Sequence, residues 1–271
     1  MSKPALSKDT GICISLASRP SNIGTRFHNY LYEILGLDFV YKACTTTDIA
    51  AAIGGVRALG IRGCSVSMPF KQAVLGLVDH VEDSAIAIRA VNTIVNDEGV
   101  LTAANTDYTA VRRLIADLDP RSAVLIRGSG GMASAVATAF RDSGFEDGTI
   151  VARNRASGTE LAQRLGYSWR DDVGDARGAV LVNVTPIGMS GGAEEQDLAF
   201  TEREIASAEV IFDAVAMPAE TPLISAARAA GKRVVTGAEV IALQAAEQFE
   251  RYTGVRPTPE QIAAASSASR R

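Results

Sequence analysis

The sequence predicts an α/β protein of two domains, and three observations carry that prediction. Short β-rich runs alternate with helical stretches along the chain, the pattern of strands joined by crossover helices. In mid-chain the apolar run Val124-Leu-Ile-Arg127 breaks into Gly128-Ser-Gly-Gly131 and reopens as small, helix-compatible residues from Met132 onward, which reads as strand, tight turn, helix. At 271 residues, 47% of them hydrophobic, the chain is long for one domain and has the material for two cores.

Taken in order, Gly11-Ile-Cys-Ile-Ser-Leu16 is a first strand, a Ser, Pro, Asn and Gly loop runs through Gly24, and a helix over 25–35 stops at Gly36. Phe39-Val-Tyr-Lys-Ala43 makes a second strand. Asp48 caps a helix reaching Ala58, Gly60 breaks it, and Arg62-Gly-Cys-Ser-Val-Ser67 is a third strand, which together point to a parallel sheet. Pro69 stands where the first turn of a helix tolerates proline, so a helix is expected over 69–78, with another over 83–88. Ala90-Val-Asn-Thr-Ile-Val95 and Gly99-Val-Leu101 read as a hairpin about Asn96-Asp97-Glu98. Asn105-Thr-Asp107 caps a long helix to about Leu118, and the domain boundary is expected there: 1–107, completed by 238–271, against 108–237.

Beyond the glycine turn, Gly148-Thr-Ile-Val-Ala-Arg-Asn-Arg155 is a strand, followed by a helix over 158–165 and by Gly178-Ala-Val-Leu-Val-Asn183, an apolar run of the kind buried on both faces. Thr185-Pro-Ile-Gly188 breaks it. Val210-Ile-Phe-Asp213, a helix over 222–230 and Arg233-Val-Val-Thr236 continue the alternation. Gly237 begins a long helix to about Tyr252, and the Ala and Ser tail after Ile262 is expected to be loose.

Within the turn, Gly128 allows the sharp bend, Gly130 lets backbone approach a pyrophosphate, and Ala133 lets the helix pack close to the strand, with the N–H groups of the helix start facing the phosphates. Gly128, Ser129, Gly130, Gly131 and Met132 are therefore the candidate cofactor loop. Roughly 20 residues further on, an NAD site offers an acid to the ribose. Arg153, Asn154 and Arg155 stand there instead, and a guanidinium suits a 2′-phosphate, so the expected cofactor is NADP.

A net charge of −4 argues against nucleic acid as a partner. No apolar run is long enough to span a bilayer and the first ten residues hold no apolar signal core, so a cytoplasmic protein without membrane partners is expected. Cys13, Cys44 and Cys64 lack metal-ligand spacing and the chain has two histidines, so reduced structural thiols and no metal are expected.

Eight segments together resemble the shikimate dehydrogenase family: Ser65-Val-Ser-Met-Pro-Phe-Lys71, Ala90-Val-Asn-Thr93, Asn105-Thr-Asp107, the Gly128 loop, Asn154-Arg155, Asn183-Val-Thr-Pro-Ile-Gly-Met189, Pro218-Ala-Glu-Thr-Pro-Leu223 and Gly237-Ala-Glu-Val-Ile-Ala-Leu-Gln244. The resemblance implies an α/β substrate-binding domain beside a Rossmann NADP-binding domain, and reversible hydride transfer between NADP and a ring hydroxyl of shikimate or a close cyclic hydroxy acid. It also implies a catalytic dyad of Lys71 and Asp107. Lysine just inside a helix start meets the positive end of the dipole, which disfavours a cation and suits an amine that alternates between base and acid. Asp107 would orient it and hold a substrate hydroxyl; in the plainer alternative it only caps a helix.

By the same resemblance Asn92 and Gln244 bind substrate hydroxyls, Ser67 and Asn22 belong to the substrate site, and Thr185, Met189 and Gly237 belong to the cofactor site. Asn92 and Gln244 could instead simply satisfy nearby backbone. The chain departs from the family near its N-terminus. Where orthodox members carry a Ser-x-Ser-Pro-x-x-His-Asn stretch whose serines hold the substrate carboxylate, this sequence has Asn22-Ile-Gly24-Thr-Arg-Phe-His28-Asn29, and Ala216 replaces a tyrosine. The pattern resembles the divergent, shikimate dehydrogenase-like branch. It leaves open quinate or another polyol acid as substrate, and, from a different class, an NADP-binding regulatory protein with vestigial catalysis, against which the retained Lys71 and Asp107 speak. His28 is expected to be structural, and the molecule a monomer or homodimer.

Overall fold

The structure, a computed structural model, describes residues 4–270; the first three residues of the N-terminal stretch read above lie outside the described residues. The chain forms two compact units, one of the residues up to Thr106 together with those from Ala242 on, the other of Asp107–Ile241.

The first unit opens with β1 (Gly11–Ala17), α1 (Ile23–Leu35), β2 (Phe39–Thr45), α2 (Ile49–Ala58) and β3 (Gly63–Val66). After these come β4 (His80–Val81), α3 (Asp83–Ile86), β5 (Thr93–Asp97) and β6 (Val100–Ala104), and the strand order is β2-β1-β3-β5-β6-β4. Asp48 accepts from the Ala51 N–H at the start of α2, as an N-cap should. β1 runs parallel to β2 and β3, but β5 is antiparallel to both β3 and β6. The expected parallel sheet is thus mixed. Glu98 and Gly99, with φ of 52° and 92°, make a connection too short for a crossover, and paired positive φ values suit a hairpin turn.

No helix starts at Pro69. The Met68-Pro69 bond is cis, Phe70 N–H donates to the Ser67 carbonyl at 3.0 Å, and the Lys71 carbonyl accepts from Val91 N–H at 2.7 Å. This backbone is therefore used in a turn and a tertiary contact instead of an i to i+4 ladder, and only Ala73–Gly76 forms a 3-10 turn. The helix-dipole argument for Lys71 falls with the helix.

Through α4 (Thr106–Leu114), shorter than expected, the chain enters the second unit: β7 (Val124–Arg127), α5 (Gly131–Asp142), β8 (Gly148–Val151), α6 (Arg155–Leu165) and β9 (Ser168–Arg170). There follow β10 (Val180–Asn183), α7 (Glu202–Ser207), β11 (Val210–Asp213), α8 (Pro222–Ala229) and β12 (Arg233–Thr236). All pairs are parallel in the order β12-β11-β10-β7-β8-β9. The chain winds outward from β7 first through β8 and β9, then back through β10 to β12, which is the doubly wound Rossmann arrangement with its switch point at the C-terminal ends of β7 and β10. β9 and α7 are additions to the sequence reading, each too short to show a period. The capping box of Thr201 and Glu204 holds α7.

α9 (Gly237–Thr253) returns the chain to the first unit and α10 (Pro259–Ser269) follows. The expected loose tail is this helix. Thr258 and Gln261 form a capping box, Pro259 occupies the first turn, and the small residues allow close packing on α1, with Ala265 fully buried. One core of the first unit gathers Cys13, Phe27, Leu31, Tyr32, Phe249 and Tyr252; another gathers Leu16, Ile53, Val56, Val66, Ile94 and Leu101. A Cβ on Gly63 would stand 2.3 Å from the Tyr252 ring, so glycine is what lets α9 settle on the sheet. His28 is fully buried and stacks on Tyr41 at 4.3 Å between centroids, and burial drives its pKa down to about 3.

Candidate active site

At the switch point of the second unit, Gly128 has φ 128°, and a Cβ there would lie 2.9 Å from the Val184 side chain and 3.1 Å from its carbonyl, so only glycine fits. Gly130 and Gly131 face open space, with nothing within 4 Å of an added Cβ. Gly130 is the N-cap of α5 and supplies no side-chain acceptor, which leaves the first-turn N–H groups directed at that space. Met132 is half-buried in this turn, Ala133 is fully buried, and Ser129 Oγ lies 2.7 Å from Ser157 Oγ. These residues fit a pyrophosphate.

Asn154 caps α6 by accepting from Ser157 N–H at 3.2 Å, so the helix begins at Arg155, earlier than expected. Arg155 is exposed, with its guanidinium 5.4 Å from the centre of the Trp169 ring, and Arg153 reaches Glu194 at 3.8 Å. The residues that follow β8, Ala152 to Ser157, include no acid, in keeping with a ribose that carries a 2′-phosphate.

The ends of β10 and β11 are tied by a buried network that the sequence did not single out. Asn183 Nδ2 donates to Asp213 Oδ1 at 3.0 Å, Thr221 Oγ1 donates to Asp213 Oδ2 at 2.6 Å, and Val215 N–H donates to Asp213 at 3.0 Å. Burial pushes the Asp213 carboxyl up against the pull of these bonds. Thr185 joins through Oγ1, which donates to Asn183 at 2.6 Å, and accepts from Ile187 N–H, so this threonine shapes its own loop. Met189 is 41% exposed on that loop. A Cβ on Gly237 would come 2.2 Å from the Val215 carbonyl, and α9 starts there behind a Thr236 and Glu239 pair that bond each other's backbone.

In the first unit Asn92 is 3% exposed and does more than satisfy backbone. Its Oδ1 accepts from Thr106 N–H and from Thr93 Oγ1, both at 2.8 Å, while its Nδ2 donates to Gln244 Oε1 at 3.2 Å. Gln248, one turn along α9, donates to Thr93 Oγ1 at 2.9 Å. Asn92 and Gln244 are therefore brought together and held by Thr93, Thr106 and Gln248, three residues the sequence reading passed over. The i to i+4 spacing of Gln244 and Gln248 was the available signal. Lys71, half-buried, is fastened through its carbonyl to the residue before Asn92. Ser67 is exposed at the end of β3 and its N–H donates to the Leu16 carbonyl at 2.9 Å. Asn22 is exposed at the start of α1 and makes no side-chain capping bond. Asp107, the first residue of the second unit, is 6% exposed and lies inside the first turn of α4, two residues past where a cap would stand. Among the described residues no His, Cys, Asp and Glu group could hold a metal, and no helix is long and apolar enough to cross a membrane.

A mixed α/β unit carrying a buried amide cluster, together with a doubly wound unit carrying a dinucleotide loop, defines a two-domain α/β protein with a Rossmann nucleotide-binding domain. The family model for the shikimate dehydrogenase substrate binding domain matches residues 22–94, and a shikimate dehydrogenase-like protein of Haemophilus influenzae is 55% identical over 267 residues, 98% of both chains. The chain belongs to the shikimate dehydrogenase family. Among solved structures, a shikimate 5-dehydrogenase-like protein superposes with a TM-score of 0.96 at 55% identity, covering 98% of this chain and all of that one. The shikimate 5-dehydrogenase of Thermus thermophilus in complex with NADP(H) and shikimate superposes with a TM-score of 0.85 at 27% identity, covering 96% of this chain and 99% of that one.

Proposed function

We propose that the protein is an NADP-dependent dehydrogenase of shikimate or a close cyclic hydroxy acid. The observation that carries this reading is the buried cluster of Asn92, Thr106 and Gln244 with Lys71 fastened next to it: neutral donors and acceptors for several hydroxyls, and one amine able to exchange a proton. Bound NADP supplies the hydride acceptor in oxidation and the donor in reduction. Lys71 takes the hydroxyl proton as the carbon–oxygen bond becomes a carbonyl and returns it in the reverse direction. Asp107 accepts from a substrate hydroxyl, Asn92 and Gln244 hold the others, and Ser67 and Asn22 face the rest of the acid. Gly128, Ser129, Gly130, Gly131 and Met132 hold the pyrophosphate, Asn154 and Arg155 the 2′-phosphate, and Thr185, Met189 and Gly237 the nicotinamide. The proposed setting is the cytoplasm, as a monomer or homodimer without nucleic-acid partners.

A second reading takes quinate or another polyol acid as substrate: Asn22 and Gly24 stand where two serines hold the substrate carboxylate in orthodox family members, and a loop altered there need not be shaped for shikimate. Reduction of NADP+ and NAD+ measured with shikimate, quinate and other cyclic hydroxy acids ranks these readings. Binding of NADPH without turnover of any acid would overturn both in favour of a regulatory protein.

A further inference from the structure

Trp169 is the one tryptophan of the chain and lies on β9 paired with Ile150 of β8. Its indole fills the notch left by Gly158 on α6, where an added Cβ would meet Nε1 at 2.4 Å, and its N–H donates to the Ala152 carbonyl at 3.3 Å. Strand, helix and indole thus fix one another. The guanidinium of Arg155, at the first position of α6, lies over the face of this ring at 5.4 Å, whereas Arg153 lies beside the carboxylate of Glu194. A guanidinium stacked on a fixed aromatic plane keeps its donor edge free and loses little freedom when an anion arrives, while one beside a carboxylate meets competition for its charge.

We propose that Trp169 is the positioning residue of 2′-phosphate recognition: it holds Arg155, not Arg153, ready for the phosphate that distinguishes NADP from NAD. This rests on the reading of the cofactor as NADP. The ring acts only through Arg155, so its influence on binding should vanish for a cofactor without the phosphate and in a chain without the arginine.

The test is binding of NADPH and NADH by calorimetry to the full chain and to Trp169→Leu, Trp169→Phe, Arg155→Ala and the double variant Arg155→Ala, Trp169→Leu, each checked for an unchanged melting temperature. Losing the preordering of one long side chain corresponds to roughly twofold to tenfold in affinity. Trp169→Leu is expected to weaken NADPH by that factor and leave NADH unchanged, Trp169→Phe to retain most of the affinity, and the leucine change to add nothing in the Arg155→Ala background. Equal weakening of NADPH and NADH, a full effect in the absence of Arg155, or no effect on NADPH would overturn the positioning role. If Arg155→Ala itself leaves the preference for NADPH intact, the 2′-phosphate is read elsewhere and the cofactor-site assignment fails with it. If Trp169→Leu lowers the melting temperature, the phenylalanine variant decides: NADPH affinity falling to the Arg155→Ala value despite an aromatic face overturns the role.

Discussion

Restoring serine at positions 22 and 24 asks directly what the loop before α1 holds. Asn22 is exposed, has φ −86° and ψ −4°, and makes no capping bond, so its replacement removes no helix cap. A Cβ on Gly24 would lie 3.4 Å from Tyr41 Oη and 3.5 Å from its ring, van der Waals contact that needs no backbone movement, and serine is a better helix former than glycine. The double variant Asn22→Ser, Gly24→Ser is therefore expected to fold as the parent does. If the substrate carboxylate lies at this loop, each new hydroxyl adds a bond to a charged group, about 1.5–3 kcal/mol, or at least about tenfold in affinity for a single bond formed. The carboxylate is remote from the reacting carbon and its charge is the same before and after hydride transfer, so binding is uniform: KM for shikimate should fall and kcat stay within about twofold. Initial rates of NADPH formation over a range of shikimate concentrations give both numbers. An unchanged or higher KM with an unchanged melting temperature would refute the reasoning and mean that another anchor, or no carboxylate, occupies this loop.

Three further outcomes are expected. Lys71→Ala should lower kcat by about 10²–10⁴-fold while NADPH affinity stays the same, and a variant keeping more than half of the parent rate would remove Lys71 from proton transfer. Gly237→Ala should destabilise the fold, since its Cβ would stand 2.2 Å from the Val215 carbonyl; overpacking of this kind costs about 1–3 kcal/mol, and a melting temperature within about a degree of the parent would contradict it. His28 takes up a proton in the unfolded chain below 6.5 but stays neutral in the fold down to about 3, so acidification through that window should remove stability, by up to about 1.4 kcal/mol per pH unit. His28→Phe, which keeps an aromatic ring beside Tyr41, should flatten that slope in urea unfolding measured between pH 7 and 4, and identical slopes would show that His28 does not set it.

The doubly wound unit was legible because its central strands β7, β10 and β11 are buried on both faces and its turn chemistry is local: Gly128 and Ala133 stand where the sequence placed them, the one at positive φ against Val184 and the other fully buried. The segment after Pro69 was misread for the opposite reason. What decides it is a tertiary bond, Val91 N–H to the Lys71 carbonyl, which a local pattern cannot contain. The tail misled because alanine and serine look uncommitted by composition, although Thr258, Pro259 and Gln261 spell a helix start. At the candidate site the side chains proposed to meet substrate or cofactor are the ones motifs expose. Those that hold them, Thr106 and Gln248 about Asn92, Asp213 tied to Thr185 through Asn183, and Trp169 under Arg155, lie elsewhere in the chain and become visible only when folding brings them together.

The first unit is assembled from two stretches of chain with the whole second unit inserted between them. During synthesis, β1, β2 and β3 therefore emerge long before Phe249 and Tyr252, the rings of α9 that cover Cys13, Gly63 and Tyr32. The second unit is contiguous and can close on itself in the meantime. At about 5–20 residues per second, the aromatic face of the first sheet stays uncovered for on the order of ten seconds or more on the ribosome. The nascent chain thus passes through a stage in which its cofactor-type unit is finished and its other unit still shows a greasy flank, the stage at which a holding chaperone would find most to grip.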